Sequence, residues 1–222
     1  LAPGRILAER VLDQLDENGV PLQAKGGLDM PVALPDILSS TGDAVFMRAR
    51  AMDRDGNRLK SKAYHLFAPY GFVDDSWFHR AYWVFGLDYF GGCGGYPRAG
   101  KMFPSGRMVV FDDTTVYAFG REQKYLRWIT PIEYHLFASP RADVAKQQGD
   151  AAAKNPTKKR QPRVTFTWST KVPVLVRAMV KCGGRLFLAG PPDLVDEEEL
   201  VQRLPQPETR QALAEQDRSY DG

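Results

Sequence analysis

The sequence predicts an all-β fold and, within that class, a β-propeller fragment of about three blades. Each blade is expected to be an antiparallel meander with long loop insertions, followed by a short helical C-terminal segment. Three observations carry this expectation. The pentapeptide Tyr64-His65-Leu66-Phe67-Ala68 recurs letter for letter as Tyr134-His135-Leu136-Phe137-Ala138, an offset of 70 residues. The same offset, applied twice, aligns residues 37–50, 107–120 and 177–190, each reading as strand, tight turn, strand. Their turn centres, Gly42-Asp43, Asp112-Asp113 and Cys182-Gly183-Gly184, fall in register, as do Phe46, Val116 and Leu186, and Met47, Tyr117 and Phe187. Many short strands with hairpin turns at a fixed period are the signature of a repeat architecture.

The repeat divides the chain into units at about 1–69, 70–139 and 164–222, parts of a single propeller, with residues 140–163 as a flexible basic insertion. A 70-residue period exceeds the roughly 40–50 of compact propeller repeats, and long inserts between strands account for the excess. Natural propellers have about four to eight blades, so three would form an arc that needs further blades to cover its edges. The third copy of the pentapeptide would begin at Leu204, where Leu204-Pro205-Gln206-Pro207-Glu208 stands instead. The last unit has diverged or taken an insertion.

Along the chain, the apolar stretch Arg5 to Leu12 is compatible with a strand or a short helix. Asp16-Glu17-Asn18-Gly19 is turn chemistry, and Pro31-Val32-Ala33-Leu34-Pro35 an extended connection. Ala44 to Met52 alternates and reads as one strand, with Val45, Met47, Ala49 and Ala51 on one face and Phe46, Arg48, Arg50 and Met52 on the other. Asp53-Arg54-Asp55-Gly56-Asn57 turns the chain after it. Tyr82 to Phe85 is a strand candidate, and Gly91-Gly92-Cys93-Gly94-Gly95 a loop of sharp turning or close approach. Met108 to Arg121 is the clearest hairpin, and Tyr125 to Ile129 adds a strand. The Lys, Gln, Ala, Asn and Pro of the 140–163 insert bury too little apolar surface to offset ordering. Strand chemistry resumes at Val164–Trp168, Val172–Lys181 and Arg185–Ala189. Asp193–Arg203 and Glu208–Asp217 read as short helices.

The formal charge of +3 conceals two opposed blocks. Residues 140–163 carry seven Lys/Arg against two Asp, and residues 193–222 nine Asp/Glu against three Arg. Lys158-Lys159-Arg160 lacks interleaved aromatics, so a solvated loop is expected and no nucleic-acid partner. Cys93 and Cys182 are the only cysteines. They cannot by themselves build a zinc or iron–sulfur site, and either one disulfide or two unpaired buried thiols fits. No apolar run reaches the length of a transmembrane helix. A start at Leu1 and an end without a closing element suggest a piece of a longer or processed protein.

The run His65-Leu66-Phe67-Ala68-Pro69-Tyr70-Gly71-Phe72, then Asp74-Asp75-Ser76-Trp77-Phe78-His79-Arg80, Tyr82-Trp83 and Gly94-Gly95-Tyr96, resembles large bacterial proteins with quinoprotein-like (PQQ-binding-like) β-propeller repeats. Gly106-Arg107, Phe111-Asp112-Asp113, Val116-Tyr117, Phe119-Gly120-Arg121 and the second pentapeptide continue the resemblance. It spans about Gly27 to Ala138, and more weakly Trp168 to Asp193. It implies an exported, extracytoplasmic and often multidomain protein, whose partners are the remaining blades or other domains of the parent. The quinoprotein repeat signature survives only in degraded form as Ala51-Met52-Asp53-Arg54-Asp55-Gly56-Asn57-Arg58-Leu59, without its Thr and docking Trp. The adjacent cysteine pair that covers the quinone in quinoprotein alcohol dehydrogenases is missing.

Candidate site residues follow from the centre of the chain. Asp74, Asp75 and His79 could hold a divalent metal or supply an acid and a base. The favoured reading is structural: the aspartates cap a turn while His79 and Arg80 bond across blades. Trp77, Tyr96 and their aromatic neighbours could stack on a sugar or quinone, or fill the space between blades. Arg98 and Lys101, after the glycine loop, could cradle an anion, although neither a P-loop ending nor the dinucleotide spacing is present. His65 and His135 share a repeat position and so a structural role, for instance a ring N–H satisfying a backbone carbonyl. The ligand-binding set expected is therefore Asp74, Asp75, Trp77, His79, Arg80, Tyr96 and Arg98, with no resident metal and no assigned catalytic residue. Hydrolase-elbow, zincin and haem-attachment motifs do not occur. The expected function is a binding and assembly scaffold. The alternatives are a PQQ- and calcium-dependent oxidoreductase acting on alcohols or sugars, and a glycan-binding propeller.

Overall fold

The computed structural model describes residues 6, 9–10, 37–47, 50–60, 63–68, 83–86, 103–121, 134–141, 164–196, 199–200, 203 and 205–221. These residues form antiparallel sheets and one C-terminal helix, so the all-β expectation holds, and no closed ring of blades is formed among them. The chain divides into two compact units, Leu1–Arg98 and Ala99–Gly222.

In the first unit β1 (Leu38–Ser40), β2 (Val45–Met47), β3 (Arg50–Met52) and β4 (Arg58–Leu59) make a four-stranded meander in sequential order. Ala44 to Met52 is therefore two strands and not one. β2 and β3 pair as Val45↔Met52, Phe46↔Ala51 and Met47↔Arg50. The reversal between Met47 and Arg50 moves Ala51 onto the face of Phe46, where both are buried with Ala44, and leaves Met47 and Met52 packed together on the other. A residue count can hide such a reversal, because alternation continues on both sides of it while the faces exchange. β5 (His65–Phe67) pairs with β6 (Trp83–Gly86).

In the second unit β8 (Met108–Phe111), β9 (Thr115–Arg121), β10 (Tyr134–Pro140) and β11 (Trp168–Thr170) form another sequential meander. β7 (Ser105–Gly106) runs close beside β9, and a Cβ on Gly106 would stand 2.3 Å from the Phe119 carbonyl oxygen. β12 (Ala178–Cys182) and β13 (Arg185–Ala189) pair as a two-stranded ribbon. Only glycine turns easily at Gly183, where φ is +53°. The ladder continues past the ribbon as Arg177 N–H to Ala189 O, Leu175 N–H to Pro191 O and Asp193 N–H to Pro173 O.

Helix α1 (Pro207–Asp221) opens on a proline whose fixed φ suits the first helical position, with Glu208 in its first turn and Arg218 in its last. Thr209 and Gln216, one helical face apart by seven residues, are buried. The Gln216 amide accepts from the Leu194 N–H at 2.7 Å and donates to the Pro192 carbonyl at 3.1 Å, which fixes the helix to the segment after β13. No helix among the described residues is long and apolar enough to cross a membrane.

The three hairpins expected at a 70-residue period are all present, in two registers. Met108↔Phe119 to Phe111↔Val116 and Ala178↔Ala189 to Lys181↔Leu186 superpose under a shift of 70. The first hairpin pairs Leu38↔Met47 to Ser40↔Val45 and is one residue out of step. Its turn equivalent of Val116 and Leu186 is thus Val45, whereas Phe46 matches Tyr117 and Phe187. The pentapeptide does not keep its place either. Among the described residues His65 to Phe67 pair with β6 and lie at the end of their sheet, while β10 pairs with both β9 and β11 inside a meander.

Candidate functional site

Asp74, Asp75, Trp77, His79, Arg80, Tyr96 and Arg98 lie outside the described residues, as do Cys93, the glycine loop, the 142–163 part of the basic insertion and the strand expected at Tyr125–Ile129. Among the described residues, no group of three His, Cys, Asp or Glu side chains converges on a point where a metal ion would sit. Trp83, on β6, is half-buried. Cys182 is a free thiol and exposed at the ribbon's turn, which corrects the expectation of a buried one.

The Asp53 turn of the first unit borders a hollow of about 320 Å³ lined by Arg10, Val45, Met52, Asp53, Arg54, Asp55 and Gly56. Asp53 Oδ1 accepts the N–H groups of Asp55 (2.9 Å) and Asn57 (2.8 Å), and its Oδ2 accepts the Asn57 amide at 3.0 Å. These bonds, the Asn57 amide foremost, hold the carboxyl below its usual range. Arg10 Nη2 donates to the Asn57 side-chain Oδ1 at 3.1 Å. Gly56 is favoured by a φ of +78°, and a Cβ there would stand 2.9 Å from the Cγ of the exposed Arg10 side chain, which would have to shift. The hollow is a mixed-charge depression whose central carboxylate is already engaged by its own turn.

The two copies of the repeated histidine are both buried. His65 Nδ1 lies 2.9 Å from the Ala63 carbonyl oxygen and its ring stacks on Phe46 at 3.9 Å. His135 Nδ1 lies 2.6 Å from Ser169 Oγ on the neighbouring strand, with Phe166 edge-on at 5.4 Å. Each ring also leans on the phenylalanine two residues later, at 5.0 Å for Phe67 and 4.9 Å for Phe137. The local conformation of the repeat is preserved while the partner of the ring nitrogen changes from carbonyl to hydroxyl.

The second unit contains an ordered stack of two hairpins. Met108, Val110, Phe119, Tyr134 and Leu136 on one face of the meander meet Met179, Leu186 and Leu188 on the inner face of the ribbon. Phe119 and Leu136 are 2% and 5% exposed. At the turn end of this seam the Lys181 ammonium stands 3.3 Å from Asp112 Oδ2 and 5.6 Å from the Tyr117 ring centroid, and donates to the Gly183 carbonyl. Asp112 Oδ1 accepts the Thr114 and Thr115 N–H groups at 3.0 and 2.9 Å, and the Thr114 hydroxyl at 3.0 Å. Led by the Thr114 N–H, these donors hold the Asp112 carboxyl at about 2. Arg141 Nη1 donates to the Asp112 carbonyl at 3.0 Å, with its guanidinium 5.3 Å from the Phe111 ring centroid.

Beyond the seam, the ribbon's other face carries Val180 and Phe187, a cross-strand pair 58% and 55% exposed. This apolar pair was not singled out from the sequence. Alternation shows that a strand has two faces and leaves open which of them is covered. The signal that finds it is the 70-residue register, since Val180 and Phe187 correspond to Val110 and Tyr117 on the face that receives the ribbon. No family model, curated protein or solved structure matches the chain.

Proposed function

We propose that this chain is a segment of a quinoprotein-like β-propeller that serves as a binding and assembly scaffold in an exported bacterial protein. The observation that supports the reading is the stack in the second unit. Two hairpins in the same register, 70 residues apart, pack the outer face of one on the inner face of the other. That is the packing rule of repeat proteins, in which each unit buries a face against its neighbour and exposes another. The chemistry of such a segment is recognition by packed faces, and its partners are further blades or other domains of the parent protein.

The test is calorimetric titration of the chain, and of the complete propeller that contains it, with PQQ and calcium. The scaffold reading expects no saturable heat with either. Stoichiometric binding of the quinone in the presence of calcium would replace it with an oxidoreductase acting on alcohols or sugars. Titration with neutral and acidic oligosaccharides is the matching arm for the glycan reading, and saturable binding there that is lost on substitution of Trp77, Trp83 or Tyr96 would overturn the scaffold reading.

A further inference from the structure

We infer that the exposed face of the β12–β13 ribbon is a docking surface for one more antiparallel hairpin of the same repeat class. The inference deepens the scaffold reading and rests on it. Under the shift of 70 that superposes the two hairpins, Met108, Val110, Tyr117 and Phe119 map onto Ala178, Val180, Phe187 and Ala189. The first set meets Met179, Leu186 and Leu188 across the seam, save that Tyr117 meets Lys181. The second set is exposed, with Val180 and Phe187 paired across the strands. The seam already formed inside the second unit is thus continued by a face of equivalent position that lacks its next layer. An apolar cross-strand pair more than half exposed, on a face that packing has already used one repeat earlier, is a surface built to be covered.

The chemistry of the occupant follows from what changes between the two layers. In the formed seam, Asp112 and the Tyr117 ring hold the Lys181 ammonium. One repeat later those positions are Cys182 and Phe187, so a ring face remains while the carboxylate that pairs with the cation is gone. The occupant therefore presents aliphatic side chains like Met179, Leu186 and Leu188, with an uncharged residue where Lys181 stands in the ribbon. A second copy of this chain does not supply that face. Its Met179, Leu186 and Leu188 are already packed on its own meander.

The test uses the full chain and two backbone-cyclised peptides spanning residues 177–190, both with Cys182→Ser and one also with Lys181→Leu, read by fluorescence anisotropy. Both peptides are expected to bind, the Lys181→Leu peptide about tenfold more tightly, with binding weakened at least about tenfold by Val180→Lys/Phe187→Lys in the full chain. Circular dichroism of that variant, and a Val180→Ser/Phe187→Ser variant that keeps the surface uncharged and is expected to weaken binding as well, separate lost docking from lost folding. Failure of both peptides to bind the wild-type chain, or equal binding to the folded variants, would overturn the inference. So would a dimer in sedimentation that Val180→Lys/Phe187→Lys dissolves, since it gives the face to a second copy. None of these outcomes touches the quinone and glycan titrations, so the two readings fail separately.

Discussion

The Lys181 ammonium lies 3.3 Å from the Asp112 carboxylate and joins the turn of one hairpin to the turn of the hairpin stacked on it. The two residues come from hairpins 70 residues apart in the sequence and sit at the end of a seam whose middle is Phe119, Leu136 and Met179. The apolar seam supplies the attraction, and the ion pair bridges the two turns at its end.

Asp112 owes its low pKa first to the Thr114 N–H, with Lys181 the last of the contributing donors. Lys181→Met is therefore expected to leave the carboxyl well below 3.8, its unperturbed value. A folded pKa depressed from 3.8 to about 2 means stability that is present at neutral pH and is lost as pH falls through about 2. Carbon-detected NMR titration of the aspartates in the wild type and in Lys181→Met measures both. A return of Asp112 to its ordinary value on loss of Lys181 would contradict the turn as the main cause.

Tyr64 gives the opposite pH dependence. Burial raises its phenol from 10.0 to about 12, because the charged phenolate is poorly solvated there. A raised folded pKa means stability that is complete below pH 10 and is lost as pH rises through about 12. Alkaline difference absorbance should show a late-titrating phenol that disappears in Tyr64→Phe, and that variant should lose less stability between those two pH values than the wild type.

How much of this was legible in the sequence depends on the range of the physics. The hairpins at 107–120 and 177–190 were readable because alternation and a glycine or aspartate turn act over a few residues. The one-residue slip of the first hairpin was not, since it is set by which face of Phe46 is buried and by the second reversal before Arg50. The repeated pentapeptide fixed a conformation, the histidine leaning on the phenylalanine two residues on, and left the strand's neighbours undetermined. The apolar pair Val180 and Phe187 became meaningful only once Met108, Val110 and Phe119 were seen to be covered at the corresponding positions.

Phe46 is 1% exposed and its ring stacks on His65 at 3.9 Å. Truncating it removes the ring stack that β2 makes on β5, so Phe46→Ala should cost about 3–5 kcal/mol of the first unit's stability. Phe46→Leu, which keeps most of the volume and loses the ring face, should cost less than half of that. Denaturant unfolding followed by hydrogen exchange at β2 and β5 reads the effect, and similar losses for the two substitutions would mean that the stack, and not the volume, holds the strands together.

Gly120 tests the close approach of β7 to β9. A Cβ at this position would stand 2.3 Å from the Ser105 carbonyl oxygen and 3.1 Å from the Gly106 Cα, both backbone atoms that no rotamer change can move aside. Gly106 faces the same limit against the Phe119 carbonyl oxygen, so the two strands touch through their glycines. Overpacking of this kind costs about 1–3 kcal/mol when backbone shifts relieve it, and more when they cannot. Gly120→Ala should therefore destabilise the second unit and raise hydrogen exchange at Ser105 to Arg107 above all. Gly184→Ala, where nothing lies within 4 Å of the added methyl, is the matched control and should leave that exchange unchanged. Equal effects of the two substitutions would place the cost in backbone entropy, which both share, and not in the contact between β7 and β9.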